Sequence, residues 1–252
     1  MSKQSARERM QQRRSDQRRQ TQIILVVVVA VLALGVVGLL IAINQPRQPV
    51  SYAVGNFSGI PESVDQSGAL GLVLGQADAP ATLTEYADFS CPHCHELEPT
   101  IHQLIDSYVK PGKLKIIYKT VTFVGGVNSE VAARSMICAA SQGKAWEMHD
   151  QIWNLYAAQS YLAYTESNMN QLASTLQLDQ TKFSSCFNSA TTTDAIQAVS
   201  NEVQSIGVNA TPTLYLDGTV LTFNSYDDIL NAVKAKVDAL PASGAAAASP
   251  TP

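Results

Sequence analysis

Basic residues are scarce over most of this chain. Of its 17 lysines and arginines, seven lie within residues 1–22, leaving 10 to stand against 19 acidic residues downstream. An acidic body of that kind offers no basic surface to nucleic acid, which is not expected as a partner. Charge is missing altogether from the 21 residues between Ile23 and Ile43. Cysteine is sparse too, with four in 252 residues, and only Cys91 and Cys94 lie close in sequence. A closed zinc or copper site wants about four ligands, so the lack of a second close pair argues against a metal there, even with His93 or His95 counted in.

The uncharged run has about the length needed to cross a bilayer core as one helix, and it is longer than the apolar region of a secretory signal, about 7–15 residues. Residues 23–43 are therefore expected to form an uncleaved transmembrane helix, and Ala42-Ile43-Asn44 is a poor cleavage site. The basic segment 1–22 precedes that span, so the positive-inside rule keeps it cytoplasmic and exports everything after Asn44 across a bacterial-type plasma membrane. Residues 44–68 are rich in Pro, Gly and polar side chains and read as a linker. Residues 241–252 are a low-complexity tail. The folded unit is expected over residues 69–240, a single-domain length.

Within that unit Ala81 to Ser90 reads as a buried strand ending at Cys91. Leu97, Ile101, Leu104, Ile105 and Tyr108 share one helical face, interrupted by Pro99 and stopped by Lys110-Pro111-Gly112. Leu114 to Val121 reads as a second strand. A mostly helical stretch runs from about Ser129 to Ile206, and Gly207 can cap it. Strands over Thr213–Leu216 and Val220–Phe223 flank Asp217-Gly218, a strong hairpin signal. A last helix, Tyr226 to Leu240, starts after Ser225 with Asp228 three residues on. The fold class is α/β.

Cys91-Pro92-His93-Cys94 sits where the first strand meets its helix. Two thiols at this spacing can close a disulfide, hold a metal or sit in a core. A structural bridge there would enclose too small a loop to stabilise much. The free N–H groups and dipole of a helix N-terminus favour a thiolate at Cys91, and His93 between the cysteines adds to that. Stabilising the thiolate stabilises the reduced form, so the disulfide becomes a better donor.

The order strand, C-x-x-C helix, strand, helices, hairpin, helix, with Thr211-Pro212 just before the hairpin, resembles thiol-disulfide oxidoreductases of the thioredoxin fold. The Cys91-Pro92-His93-Cys94 tetrad and the long helical insertion, about residues 128–190, resemble the DsbA-like branch. That resemblance implies an exposed nucleophile at Cys91, a resolving thiol at Cys94 and a helix-kinking proline at Pro99. It also implies a cis bond at Pro212, with Thr211 presenting its backbone to substrate, and a buried acid at Glu85 below the thiols. Phe123-Val124-Gly125-Gly126 resembles a family segment after the second strand. Implied partners are exported proteins with free thiols and a quinone-linked membrane reoxidase; no cofactor is called for. The same chemistry run as a reductase or isomerase, for instance in cytochrome maturation, or a metal-binding thioredoxin-like module, stands as the alternative. Glu85 could instead face solvent, Lys119 is weighed as its ion-pair partner, and His102 and His149 read as surface or packing residues. In an exported chain the two remaining cysteines tend to pair, so a Cys138–Cys186 bridge is expected.

Overall fold

The computed structural model describes residues 23–25, 27–38, 55–66 and 68–240, and the chain divides into two units, residues 1–48 and 49–252. In the first, residues 23–25 and 27–38 are helical and their side chains are exposed throughout, with Leu34 72% exposed. Among the described residues no helix is long and apolar enough to cross a membrane. The span expected over residues 23–43 lies partly outside the described residues, as do the basic segment 1–22 and the tail 241–252 wholly.

The second unit is built on a six-stranded sheet. Its strands are β1 (Glu62–Asp65), β2 (Gly71–Leu74), β3 (Ala81–Ala87), β4 (Leu114–Thr120), β5 (Thr213–Leu216) and β6 (Thr219–Val220), in the order β1-β2-β4-β3-β5-β6. Only β3 and β4 are parallel, joined by helix α1 (Pro92–Leu104) and a π-helical turn, Ile105–Val109. Five helices follow before β5: α2 (Val127–Ala140), α3 (Ala145–Gln159), α4 (Glu166–Thr175), α5 (Gln180–Phe187) and α6 (Ala190–Ser205). Helix α7 (Tyr226–Asp238) is the last described element and packs against α1.

Helix α1 buries Cys94, Leu97, Glu98, Ile101 and Leu104, a stripe at helical spacing that places it over the sheet. Pro99 lies on its exposed face. Alternate residues of β3, Ala81, Leu83 and Glu85, are buried, as are Leu114, Ile116 and Tyr118 of β4, and the register sets Glu85 directly beside Tyr118. Asp217 and Gly218 take φ of 47° and 78°, the left-handed values that a two-residue hairpin turn needs. Ser225 and Asp228 form the capping box of α7.

Two sequence expectations need correcting, and one pairing that was weighed but not expected is not formed. The tether over residues 44–68 does not hold from Gly55 onward: Phe57 is buried in the core, and β1 pairs with all four residues of β2. Strands of four residues with two acids in one of them carry too little periodicity to be read. The second hairpin strand stops at Val220; after the Leu221 N–H bonds the Leu214 carbonyl, the chain leaves the sheet. Lys119 does not meet Glu85. Its neighbour Tyr118 shares the Glu85 face, so Lys119 points through the other side of the sheet and pairs with Glu202 of α6 at 2.7 Å.

Cys138 of α2 and Cys186 of α5 form a disulfide, with Cα atoms 5.6 Å apart and 48 residues between them in sequence. The loop-entropy model gives such a closure at most about 4 kcal/mol. Replacing both by Ser should lower stability in urea by about 2–4 kcal/mol. An unchanged unfolding midpoint would show that helix packing alone holds α2 to α5.

Candidate active site

The carbonyl of Asp88 accepts the Cys91 N–H at 2.9 Å, which turns the chain out of β3 and into α1. The Asp88 carboxylate holds that turn, taking the N–H of Ser90 and of Val124, each at 2.8 Å, and the Ser129 hydroxyl. Gly125 lies so close that a Cβ there would meet the Ser90 hydroxyl at 2.0 Å. No side chain other than glycine's fits in that position. Asp88 was not singled out from sequence, although an Asp two residues before a Ser at a strand end is an Asx-turn signal.

Cys91 is the N-cap of α1 and Pro92 opens its first turn. Cys91 keeps 5% of its surface exposed, far less than the open nucleophile expected, and Cys94 keeps none. Both thiols are free. The Cys91 pKa is lowered from 9.0 to about 5, chiefly by a hydrogen bond from the Cys94 thiol. Burial opposes this as the second-largest effect, and the Thr211 side chain and the N–H groups of Cys94 and His93 each lower the pKa by less. As a thiol, Cys91 donates to the Thr211 carbonyl at 3.3 Å. Burial pushes Cys94 well up, and the neighbouring Cys91 and Glu85 push it further.

The Thr211–Pro212 bond is cis. These two residues line one side of a groove of about 530 Å³, with His93, Phe223, Asn224 and Tyr226 around it. The His93 ring meets Glu96 at 3.0 Å, and the hydrogen bond that His93 gives the Cys91 sulfur comes from its backbone N–H. The Tyr226 hydroxyl lies 3.1 Å from the His93 carbonyl and 3.2 Å from Glu96, tying α7 to the active-site turn.

Glu85 lies beneath the thiols, fully buried, and neither of its carboxylate oxygens has a hydrogen-bond partner. Burial raises its pKa to about 8. Glu98, which sequence reasoning passed over because it sits in an otherwise ordinary helical stripe, is buried too; its oxygens also lack a hydrogen bond, and Oε1 stands 3.5 Å from His149 Nε2. His149 and His102, read from sequence as surface or packing residues, belong to a buried polar cluster with Asp150. Ligand atoms of Glu98, His149 and Asp150 lie within 4.8 Å of one another. Asp150 is nonetheless taken up by both histidines and the Gly55 N–H, and His149 by Asp150 and Trp153, so the group is a hydrogen-bonded network.

A sheet with a parallel strand-helix-strand core, a thiol pair at its helix N-terminus and a cis-proline opposite define a thioredoxin-fold dithiol protein. The chain belongs to the thioredoxin family, whose model, described as Thioredoxin, matches residues 69–235. Disulfide bond formation protein D of Bacillus subtilis is 25% identical over 166 residues, 64% of this chain and 75% of that one. A Na(+)/H(+) antiporter, NhaA 3 of Salinispora tropica, is 29% identical over 147 residues, 58% of this chain, which spans 21% of the antiporter's length. Among solved structures, oxidised BdbD from Bacillus subtilis superposes with a TM-score of 0.59 at 23% identity, covering 66% of this chain and 92% of that one. MdbA, a thiol-disulfide oxidoreductase from Corynebacterium diphtheriae, gives 0.60 at 18% identity, covering 75% and 99%. At these identities the two superpositions establish the fold.

Alkylation of reduced Cys91 should follow a titration with its midpoint near pH 5. A depressed folded pKa also means that the reduced domain gains stability as pH rises from about 5 towards 9 and loses it as pH falls back through 5. An alkylation midpoint near 9 would contradict the geometry. Glu85 carries the opposite sign: its raised pKa makes the native state less stable as pH rises from 4.5 to about 8. Glu85→Leu should therefore stabilise by about 1–3 kcal/mol, with the gain over the parent protein growing through that window in thermal melts.

Proposed function

We propose that this chain is a membrane-anchored protein-disulfide oxidoreductase that donates the Cys91–Cys94 disulfide to exported proteins. The inequality of the two thiols carries this reading. One sulfur is held as an anion at a helix N-terminus and the other is kept protonated in the core. A substrate thiolate attacks Cys91 Sγ, and the Cys94 sulfur leaves with the electron pair of the broken bond and takes up a proton. The second thiolate of the substrate then attacks the substrate sulfur of the mixed disulfide. Cys91 departs as a stabilised thiolate, a good leaving group because its pKa is low. The substrate has lost two electrons and the enzyme holds them as one thiol and one thiolate.

The cis Thr211–Pro212 edge and the groove beside it suit an extended peptide presented to Cys91, with the Thr211 backbone as its contact. Donation leaves the enzyme reduced, so a quinone-linked membrane reoxidase completes the cycle. Residues 23–43 serve as a single-pass anchor, with residues 1–22 cytoplasmic and the dithiol domain outside. An uncharged run of 21 residues supports this, as do the helical residues 23–25 and 27–38, whose apolar side chains are exposed among the described residues. The names of the Bacillus relative and the Corynebacterium neighbour support the exchange chemistry.

Equilibrating the protein with glutathione buffers gives its reduction potential. A donor should lie well above the thioredoxin value of about −270 mV, towards the −120 mV or so that the fold reaches in strong oxidants. A potential as low as thioredoxin's would reject donation in favour of a reductase.

A further inference from the structure

Glu96, on the exposed side of α1, takes no part in the exchange chemistry, yet it is bound from two directions. Its Oε2 meets His93 Nδ1 at 3.0 Å and the Tyr226 hydroxyl at 3.2 Å, and that hydroxyl also stands 3.1 Å from the His93 carbonyl. A phenol carries one proton, and a carbonyl and a carboxylate can only accept, so the Tyr226 proton is shared between the two oxygens. One carboxylate oxygen thus joins the active-site turn to α7. The side chains of His93 and Glu96 are 72% and 57% exposed, and an exposed pair at this spacing adds little to stability by itself. Here its position is set from outside the helix. The capping box of Ser225 and Asp228 starts α7 at Tyr226, and Tyr226 lines the groove together with His93 and Thr211.

The pair matters because of the sulfur beside it. The His93 pKa is raised, first by the hydrogen bond and charge of Glu96 and last by the charge of Cys91, so ring and sulfur act on one another. The Glu96 pKa is lowered by the His93 and Tyr226 hydrogen bonds against burial, with the charges of His93 and His95 adding less. The titratable groups facing the pair are thus Cys91 and His95 at the start of α1 and Tyr226 from α7. An imidazolium favours a neighbouring thiolate and a carboxylate disfavours it, so together they largely cancel. We propose that Glu96 is a positioning residue that, secured by Tyr226, offsets the charge of the His93 ring and makes the Cys91–Cys94 disulfide a weaker electron acceptor than the same turn would be without it. The step affected is reduction of that disulfide. Two glutathione thiols supply two electrons and two protons; one proton ends on Cys94 and the other in solvent, Cys91 is left as a thiolate, and oxidised glutathione forms. Only the reduced protein carries the anion, so a group that disfavours the anion favours the disulfide and lowers the potential. The inference takes its meaning from the disulfide-exchange reading above, which it deepens by naming what sets the strength of the donor.

The test uses the full chain and two measurements, the pH profile of Cys91 alkylation and the equilibrium with glutathione buffers. Glu96→Gln removes an exposed charge and leaves the core untouched. It should lower the alkylation midpoint by about half a pH unit. The glutathione equilibrium should move about threefold towards the reduced protein, a rise of about 14 mV at about 30 mV per tenfold. In about 1 M salt, where the screening length falls to about 3 Å, both differences from the parent should shrink. Tyr226→Phe leaves Glu96 charged but unsecured, and should shift both measurements in the same direction by less. An unmoved midpoint in Glu96→Gln overturns the proposal, and so does a raised one, the sign expected if Glu96 only props up the turn. A difference that salt does not reduce overturns it too, and no shift in Tyr226→Phe overturns the part given to Tyr226. Should the parent protein never equilibrate with glutathione, the exchange reading fails instead, and the alkylation profiles still decide the role of Glu96.

Discussion

Two residues separate Cys91 from Cys94, so both sulfurs lie along one turn of α1, yet the first is outside the helix and the second within it. The N-cap position gives Cys91 the unpaired N–H groups of the first turn, and one turn inward Cys94 is wholly buried, with the Cys91 sulfur, the Asp88 backbone and the Glu85 carboxyl acting on it. Each thiol then sharpens the other's state, since the proton on Cys94 is what Cys91 accepts. A stable pair of this kind requires a rigid entry to the helix. That is the work of Asp88, whose bonds reach Ser90, Val124 and Ser129, and of Gly125, which lets the α2 loop close over the turn.

The sheet beneath adds a second constraint. Parallel pairing of β3 with β4 places Glu85 beside Tyr118 and sends Lys119 to the opposite face, where Glu202 holds it. No cation therefore compensates the Glu85 carboxyl. Burying such a group without a partner costs stability, and the protein carries two of them next to its buried thiol.

Much of this was legible in the chain. The thiol pair, the two parallel strands, the hairpin at Asp217-Gly218 and the capping box at Ser225 all carry local signals, because each needs particular residue types at fixed spacing. Beyond the Cys138–Cys186 bridge, what sequence could not give was the strand and side-chain pairing set across the fold. β1 and β2 are too short for a period, so the segment from Gly55 read as tether although Phe57 is core. Glu98 and His149 look like ordinary helical residues until α1 and α3 are laid together over the sheet. The orientation of Lys119 depended on a register off by one residue, and in a strand one residue exchanges the faces. His93 was legible as a residue of the site, but its ring is drawn off by Glu96, an exposed partner that spacing alone did not select.

The Cys138–Cys186 bridge sets a problem of timing. Synthesis proceeds from the N-terminus, so Cys91, Cys94 and Cys138 have all emerged while Cys186 is still 48 residues short of its partner. At about 5–20 residues per second that interval lasts some seconds. During it Cys138 has only the two reactive thiols within the chain to pair with, and the core that hides Cys94 is incomplete until β5 and α7 arrive. A bridge formed early between Cys138 and either of them would have to be undone before the domain could close. Sorting four sulfurs into the right two pairs is itself a disulfide exchange, the same reaction proposed for the finished domain.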